Sequence, residues 1–302
     1  MYENLFSERG LSFDRLRVLV EVHDAGGIAQ AAPGDPIRQS QYSRQLRELS
    51  EFFGCEVARR SGRQLKLTAQ GIQLAELIRT QLHALQDFRA ECRAESVDHT
   101  IAAGDSLIHW LVIPRLGEVM RKQPRVRFAT ANLRTNEIVQ QLSDGRVDFG
   151  VIRKDAVVAT LKAVPLGTLA FSAVVPKALA SGRAAPTLAD VLGRLPFAAH
   201  TSDGQFTTKL RAVAKEFGVE LRPALTCQSF PQALAAVRSG GFGSVLPALA
   251  TAELAAGIYH EIPAGPLAKL DRGIVLAWNP RLPQIRPTAK KVIELLQSEL
   301  RF

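Results

Sequence analysis

The run Ile101-Ala102-Ala103-Gly104-Asp105-Ser106-Leu107-Ile108-His109-Trp110 places a carboxylate, a hydroxyl and an imidazole close together. A serine that follows a short apolar strand can be a nucleophile if a base takes its proton and a third group orients that base. His109, three residues on, is within reach as the base. The same position also suits binding. Where a strand of an open α/β sheet gives way to a helix, unpaired backbone N–H groups favour an anion, and a hydroxyl there can donate to a carboxylate. A plain helix N-cap is the third reading of Ser106.

The four letters Gly104-Asp105-Ser106-Leu107 resemble the signature of the GDSL serine esterases. Such enzymes carry their base in an Asp-x-x-His segment. None of His23, His83, His99, His109, His200 and His260 has an aspartate three positions before it, and the Gly-x-Asn-Asp block that supplies oxyanion donors is missing. Four-letter matches arise often by chance, so binding outweighs hydrolysis, and an esterase using Ser106 as nucleophile stands as the alternative. Cysteines and histidines are not spaced as metal ligands, and there is no phosphate-binding loop or dinucleotide fingerprint, so neither metal nor cofactor is expected.

The elements around Ser106 support binding. Strand-like runs at 99–103, 126–131 and 147–152 alternate with helical runs at 107–122 and 136–143, which implies a parallel sheet covered by helices. A second such unit runs through strands at 195–199, 225–227 and 243–247 and helices at 207–217 and 231–239. Thr201 and Ser202 follow the first of these strands, and Ser229 precedes the last helix, so they are the counterparts of Ser106. Together they suggest a polar, anion-friendly pocket for a small carboxylate or phosphate, with His200 beside it as a structural histidine.

The N-terminal ninety residues are of another kind. A helical pattern starts after Ser12, Gly26-Gly27 ends it, and Ile28–Ala32 forms a short second helix. Pro33-Gly34-Asp35-Pro36 reads as the turn, and a third helix runs from Gln39 to Phe53. Tyr42, Leu46, Leu49 and Phe53 share one face of it. Gln39, Ser40, Ser43, Arg44 and Arg47 project from the other, the amide, hydroxyl and guanidinium set that reads base edges and grips phosphates in a major groove. Two short strands around Ser61-Gly62 then carry Arg59, Arg60, Arg63 and Lys66, which can lie along a phosphate backbone or minor groove. Residues 36–66 hold seven basic and three acidic side chains.

Residues 11–71 resemble the winged helix-turn-helix of LysR-type transcriptional regulators. The resemblance rests on Ala31-Ala32, Ser43-Arg44-Gln45-Leu46-Arg47-Glu48-Leu49, Phe53-Gly54, Arg60-Ser61-Gly62-Arg63, Leu65-Lys66-Leu67-Thr68 and Gly71. Further echoes are Leu142-x-x-Gly145-x-x-Asp148, Val164-Pro165-Leu166 and Gly241-x-Gly243-x-x-Leu246-Pro247. The chain departs from the pattern where Pro33-Gly34-Asp35-Pro36 replaces the usual Leu, and where Arg38 replaces the usual Ser. The resemblance implies DNA contact by Gln39, Ser43, Arg44, Arg60 and Arg63. It also places Arg134 and Thr135 on the effector cleft with Ser106, Thr201, Ser202 and Ser229.

The fold class expected is a mainly α winged helix-turn-helix, a long linker helix, and a two-lobed α/β effector domain like a periplasmic binding protein. The bounds are 1–67, 68–97 and 98–302. Lobe I comprises 98–167 and 270–302, lobe II 168–269, and the chain crosses near Leu166–Phe171 and returns near Pro263–Arg272. In the linker, Ala75, Ile78, Leu82, Leu85 and Cys92, with Leu74, Leu77 and Phe88 alongside, form a seam able to pair with a second copy. The partners implied are double-stranded operator DNA, a small-molecule effector and the chain itself, as a dimer and then a tetramer, with RNA polymerase as a further one.

Bulk properties fit these expectations. The length of 302 residues suits about two domains. Three scattered cysteines form no C-x-x-C, and no apolar run approaches the ~20 residues that span a bilayer. Without the basic-then-apolar order of a secretory signal at the start, the expected location is the cytoplasm, away from membranes. Residues 1–97 hold 13 basic and 13 acidic side chains, while residues 98–302 hold 25 and 16 and so carry the whole net charge of +9. The basic balance therefore fits an acidic ligand of the C-terminal part as well as attraction to a polyanion.

Overall fold

The computed structural model describes the chain except residues 1, 2, 8, 62, 63, 181–184, 201–204, 263 and 264. It divides into one unit of Met1–Glu95 with Gln284–Arg286 and another of Ser96–Pro283 with Pro287–Phe302.

In the first unit, side chains that accept backbone N–H groups set where helices begin. After the short α1 (Glu3–Ser7), Ser12 accepts from the Arg15 amide and starts α2 (Phe13–Ala25). Then α3 (Ile28–Ala31) leads through a turn to α4 (Pro36–Phe53), which Asp35 caps by accepting from the Arg38 amide at 2.9 Å. This corrects the expectation that α4 begins at Gln39. Pro36 occupies the first helical position, where its missing N–H would be unpaired anyway. Only Pro33 and Gly34 belong to the turn.

A hairpin of β1 (Ala58–Ser61) and β2 (Gln64–Leu67) follows, with Arg59 opposite Lys66 and Arg60 opposite Leu65. The long α5 (Ala69–Cys92) starts at its cap Thr68. A Cβ on Gly71 would stand 2.0 Å from the Val57 carbonyl oxygen, so only glycine lets α5 start this close to the hairpin. Leu19, Val22, Leu46, Leu49 and Val57, all at most 1% exposed, form the core of this unit. Full burial of such a side chain contributes about 1.5–3 kcal/mol. The buried Arg79 guanidinium of α5 reaches Asp24 and His23 at the end of α2.

The apolar positions of α5 divide between two faces. Ala75, Leu74 and Ile78 belong to the core of this unit, whereas Leu77, Leu85 and Phe88 are 53%, 52% and 66% exposed. The expected seam of Ala75, Ile78, Leu82, Leu85 and Cys92 is therefore not a single row. Its outer row is Leu77, Leu85 and Phe88, and Cys92 is exposed at the end of the helix.

The second unit contains two sheets. The first has the order β4-β3-β5-β12-β6, built from β3 (Val97–Ala103), β4 (Val126–Asn132), β5 (Phe149–Arg153), β6 (Lys162–Leu169) and β12 (Arg272–Trp278). β3 runs parallel to β4 and β5, and β12 lies antiparallel between β5 and β6. The second sheet has β7 (Phe171–Pro176) between β10 (Ser244–Pro247) and β11 (Tyr259–Ile262). A parallel pair, β8 (Ala198–His200) and β9 (Leu225–Cys227), joins it through a bridge between Phe197 and Gly243. The chain passes from one sheet to the other at Ala170 and returns at Asp271. The antiparallel strands β6, β7, β11 and β12 are additions to the parallel pattern expected. They are buried or half-polar runs without the strand–helix rhythm that revealed the others.

Helices cover these sheets: α6 (Asp105–Leu107), α7 (Ile113–Lys122), α8 (Thr135–Ser143), α9 (Leu188–Gly193), α10 (Gln205–Glu216), α11 (Phe230–Arg238), α12 (Ala248–Thr251), α13 (Leu282–Ile285) and α14 (Pro287–Glu299). A π-helical turn, Ile108–Val112, joins α6 to α7. Pro114 explains it, since it has no N–H for the Trp110 carbonyl four residues back. The Arg115 guanidinium donates to that carbonyl at 3.4 Å instead. Asp148 accepts from the Thr100 amide at 2.8 Å, tying the start of β5 to β3. The Leu142-x-x-Gly145-x-x-Asp148 echo thus has a structural role.

Candidate nucleic-acid interface and ligand cleft

The outward face of α4 is polar and open. Ser40, Ser43, Arg44 and Arg47 are exposed, and Arg60 of β1 is exposed as well. Arg44 rests on Glu48 at 2.9 Å but keeps 73% of its side chain exposed. Hydrogen bonds from Arg44 and then Arg15 hold the Glu48 carboxyl below its ordinary value. Gln39 is half-buried, and its amide donates to the Ala32 carbonyl at 2.8 Å, so it closes the turn between α3 and α4. Arg63 lies outside the described residues.

Two residues missed in the sequence join this face: Ile37, because α4 begins about a turn earlier than expected, and Gln41, from within the expected helix. Both are exposed, and Gln41 stands one and Ile37 two helical steps before Arg44 on the same row. The signal for Ile37 was Asp35-Pro36, a cap followed by a first-turn proline. Arg38, which departs from the family pattern, donates to the Tyr42 hydroxyl at 2.9 Å, and Tyr42 donates to Glu21 at 2.6 Å. Burial works against ionisation of Glu21, yet its bonds from Tyr42 and Arg17 hold the carboxyl below the usual range.

In the second unit, register brings the strand ends together. Ala103 of β3 pairs with Asn132 of β4 and with Val151 of β5, so Ser106, Arg134, Thr135 and Arg153 follow neighbouring ends on one edge. β3 lies between β4 and β5, and at such a reversal of strand order a crevice forms. The elements α6 and α11 are in contact, which brings Ser106 and Ser229 toward one cleft. Ser229 caps α11 by accepting from the Gln232 amide at 3.4 Å. Ser106 is not a cap: Gly104 holds that position, and Ser106 sits inside the first turn. Arg134 is the residue before α8, and its amide donates to Glu137 at 2.8 Å. Thr201 and Ser202 lie outside the described residues.

The esterase alternative fails on geometry. His109 points its Nε2 at Glu253, 3.3 Å away. Trp110 Nε1 and Arg238 also donate to Glu253, at 2.7 and 2.8 Å, so this carboxylate joins the π-helical turn to α11. Among the described residues, the nearest histidine in sequence, His109, is engaged by Glu253 rather than by Ser106. No group of three His, Cys, Asp or Glu there stands close enough to hold a metal ion. No helix among them is long and apolar enough to cross a membrane.

A second set of groups gathers around Arg272, which the sequence did not single out. Arg272 begins β12, where the chain returns to the first sheet, and its guanidinium lies over the rings of Phe206 and Phe171 at 5.6 and 6.0 Å. Across the rings, His200 stacks on Phe230 at 4.3 Å. Among the described residues, Arg272 Nη2, His200 Nδ1 and Asp271 Oδ1 are buried atoms without a hydrogen-bond partner. Burial, joined by the charge of Arg272, pushes the His200 imidazole below its ordinary value against the pull of the Gln228 backbone. Burial and then Arg153 depress Arg272 in the same way, with Asp155 opposing them.

Comparison with known proteins agrees with both parts. A family model described as the LysR substrate binding domain matches residues 98–301. Another, described as a bacterial regulatory helix-turn-helix protein of the lysR family, matches residues 13–72. The HTH-type transcriptional regulator PecT of Dickeya dadantii is 29% identical over 46% of this chain and 45% of its own length. A probable nitrogen assimilation transcriptional activator of Synechococcus elongatus is 22% identical over 78% of this chain and 79% of its own. Against most of its curated relatives the chain spans about half their length. Among solved structures, a substituted full-length OxyR from Pseudomonas aeruginosa has a TM-score of 0.67 at 19% identity, covering 98% of this chain and 96% of that one. Full-length CbnR in complex with its target DNA has a TM-score of 0.59 at 19% identity, covering 96% and 100%.

Proposed function

Since this chain belongs to the LysR family of transcriptional regulators, we propose that it binds operator DNA through α4 and the β1–β2 hairpin and that a small effector in the second unit modulates this binding. The observation that carries the reading is the exposed face of Ser40, Ser43, Arg44 and Arg47 beside exposed Arg60. The same side chains turned inward would leave no groove-reading surface. Gln39 acts indirectly by fixing the entry to α4, and Arg63, outside the described residues, is proposed as a further DNA contact. Residues 1–67 are the DNA-binding part, 68–97 the linker and 98–302 the effector domain, divided into the lobes given above. Ser106, Arg134, Thr135, Thr201, Ser202 and Ser229 line the effector cleft.

The outer row of α5, Leu77, Leu85 and Phe88, supports self-association, because a second copy would remove that apolar surface from water. A two-fold dimer presents two recognition helices to two half-sites. A dimer of dimers, contact with RNA polymerase and a cytoplasmic location complete the proposal. The test measures affinity for the protein's own upstream DNA at two salt concentrations, in native and Arg44→Ala protein. Salt-sensitive, sequence-specific binding that Arg44→Ala weakens is expected. Equal affinity for unrelated DNA, unaffected by the substitution, would overturn the reading.

A further inference from the structure

Ile37 is the second residue of α4 and is 74% exposed, the most open large apolar side chain of that helix. At about 100° per residue, Ile37 and Arg44 point within about 20° of each other, away from the buried Tyr42, Leu46 and Leu49. Ile37 therefore stands at the middle of the outward face, where an apolar side chain among hydroxyls and guanidinium groups gains nothing from water. Single exposed apolar residues are common, but this one shares its row with Gln41 and Arg44. Gln41 is exposed, and its amide makes no hydrogen bond among the described residues. The Gln39 amide, by contrast, is held by the Ala32 carbonyl, and Gln45 Oε1 is buried. The turn that bears Ile37 is fixed from below: Asp35 caps it, and Arg38 is bonded to Tyr42, which is bonded to Glu21. A β-branched side chain on a helix has one dominant rotamer, so Ile37 offers a rigid apolar knob that loses little freedom on contact.

We propose that Ile37 and Gln41 set the base sequence that α4 selects: Ile37 packs on the 5-methyl group of a thymine, and the Gln41 amide accepts from N6 and donates to N7 of an adenine. This rests on the reading of α4 as the DNA-binding helix and names what it distinguishes. Neither residue is among the contacts implied by the family resemblance. The major groove is the surface that fits such a row, because it sets methyl groups among hydrogen-bonding edges, and the first residues of a recognition helix contact those edges. Arg44, next on the row, suits a guanine in the same groove. Spacing adds a constraint. Four residues rise about 6 Å along a helix, close to two base-pair steps of about 3.4 Å. The thymine and the adenine must therefore lie no more than two base pairs apart in each half-site.

The experiment measures the affinity of the full chain, native, Ile37→Ala and Gln41→Ala, for the bound segment of its own upstream DNA. Matched duplexes replace single thymines by uracil, which lacks only the methyl group, or single adenines by 7-deazaadenine, which lacks the N7 acceptor. At one thymine per half-site, uracil is expected to lower native affinity about fourfold, and Ile37→Ala should bind both duplexes alike. At an adenine within two base pairs of it, 7-deazaadenine should lower native affinity about fivefold or more, and Gln41→Ala should be indifferent to the change. Absence of either response, a sensitive pair farther apart, or the same loss in native and variant protein overturns the proposal. Arg44→Ala on the same duplexes keeps the two readings apart. If it weakens specific binding while Ile37→Ala and Gln41→Ala leave every base response as in native protein, α4 remains the DNA-binding helix and this assignment falls. If native protein does not prefer its own upstream DNA to unrelated DNA, both fall.

Discussion

Arginine is used in two opposite ways in the two units. Arg44 on α4 keeps 73% of its side chain in water and leans on Glu48, whereas Arg272 is pressed against two phenyl rings with a buried, unpartnered nitrogen. An exposed guanidinium loses little solvation, and its attraction to a polyanion is long-ranged and weakened by salt. A half-buried one loses part of its solvation and keeps more of its field. The first arrangement suits a surface that must slide along DNA and release it. The second suits a site that must distinguish one small molecule from another.

The largest effect should come from neither arginine but from the surface that doubles the first kind of site. Leu85→Glu with Phe88→Glu should convert the protein to a monomer by sedimentation and lower operator affinity about 100-fold or more, through lost bivalency. Unchanged mass would remove α5 from the dimer proposal. Arg44→Ala comes next, weakening operator binding by about 1–3 kcal/mol if it makes a bidentate base contact. Arg60→Ala should be milder and different in kind, reducing the slope of log affinity against log salt by about 0.9 for one lost phosphate contact. A slope that stays fixed would place Arg60 off the backbone. The smallest effect concerns Glu21, whose carboxyl is held low by Tyr42 and Arg17. A depressed carboxyl stabilises the fold fully above its unfolded value and ceases to do so as pH falls through its folded value. Glu21→Gln should therefore flatten the acid side of the stability–pH curve and leave the neutral side level.

The helix-turn-helix was legible because its cues are local. Tyr42, Leu46 and Leu49 fall on one face, and all three are buried. The error at Pro36 came from treating both prolines as breakers, although Asp35 before the second marks a helix start. The parallel edges of the second unit were legible for a similar reason, since strand, loop and helix recur in order. Arg153 and Arg272 were not. They meet only because β12 returns antiparallel to β5, and no periodicity within either segment reports a pairing between strands so far apart in the chain. Ser106 shows the limit of a motif: the cap position fell to Gly104, and the imidazole three residues on was taken by Glu253.

The middle position of β12 has a consequence for biosynthesis. β6 leaves the ribosome with no neighbour to pair with, because its partner in the sheet is β12 and more than a hundred residues separate their starts. The α2–α5 unit draws its contacts from within the first 95 residues except the few supplied by Gln284–Arg286, so most of it can condense as it emerges. The first sheet must wait with an unmatched strand until Trp278 has been translated. A chain halted before Arg272 would thus carry a nearly complete first unit beside a half-made sheet whose open strand edges invite aggregation.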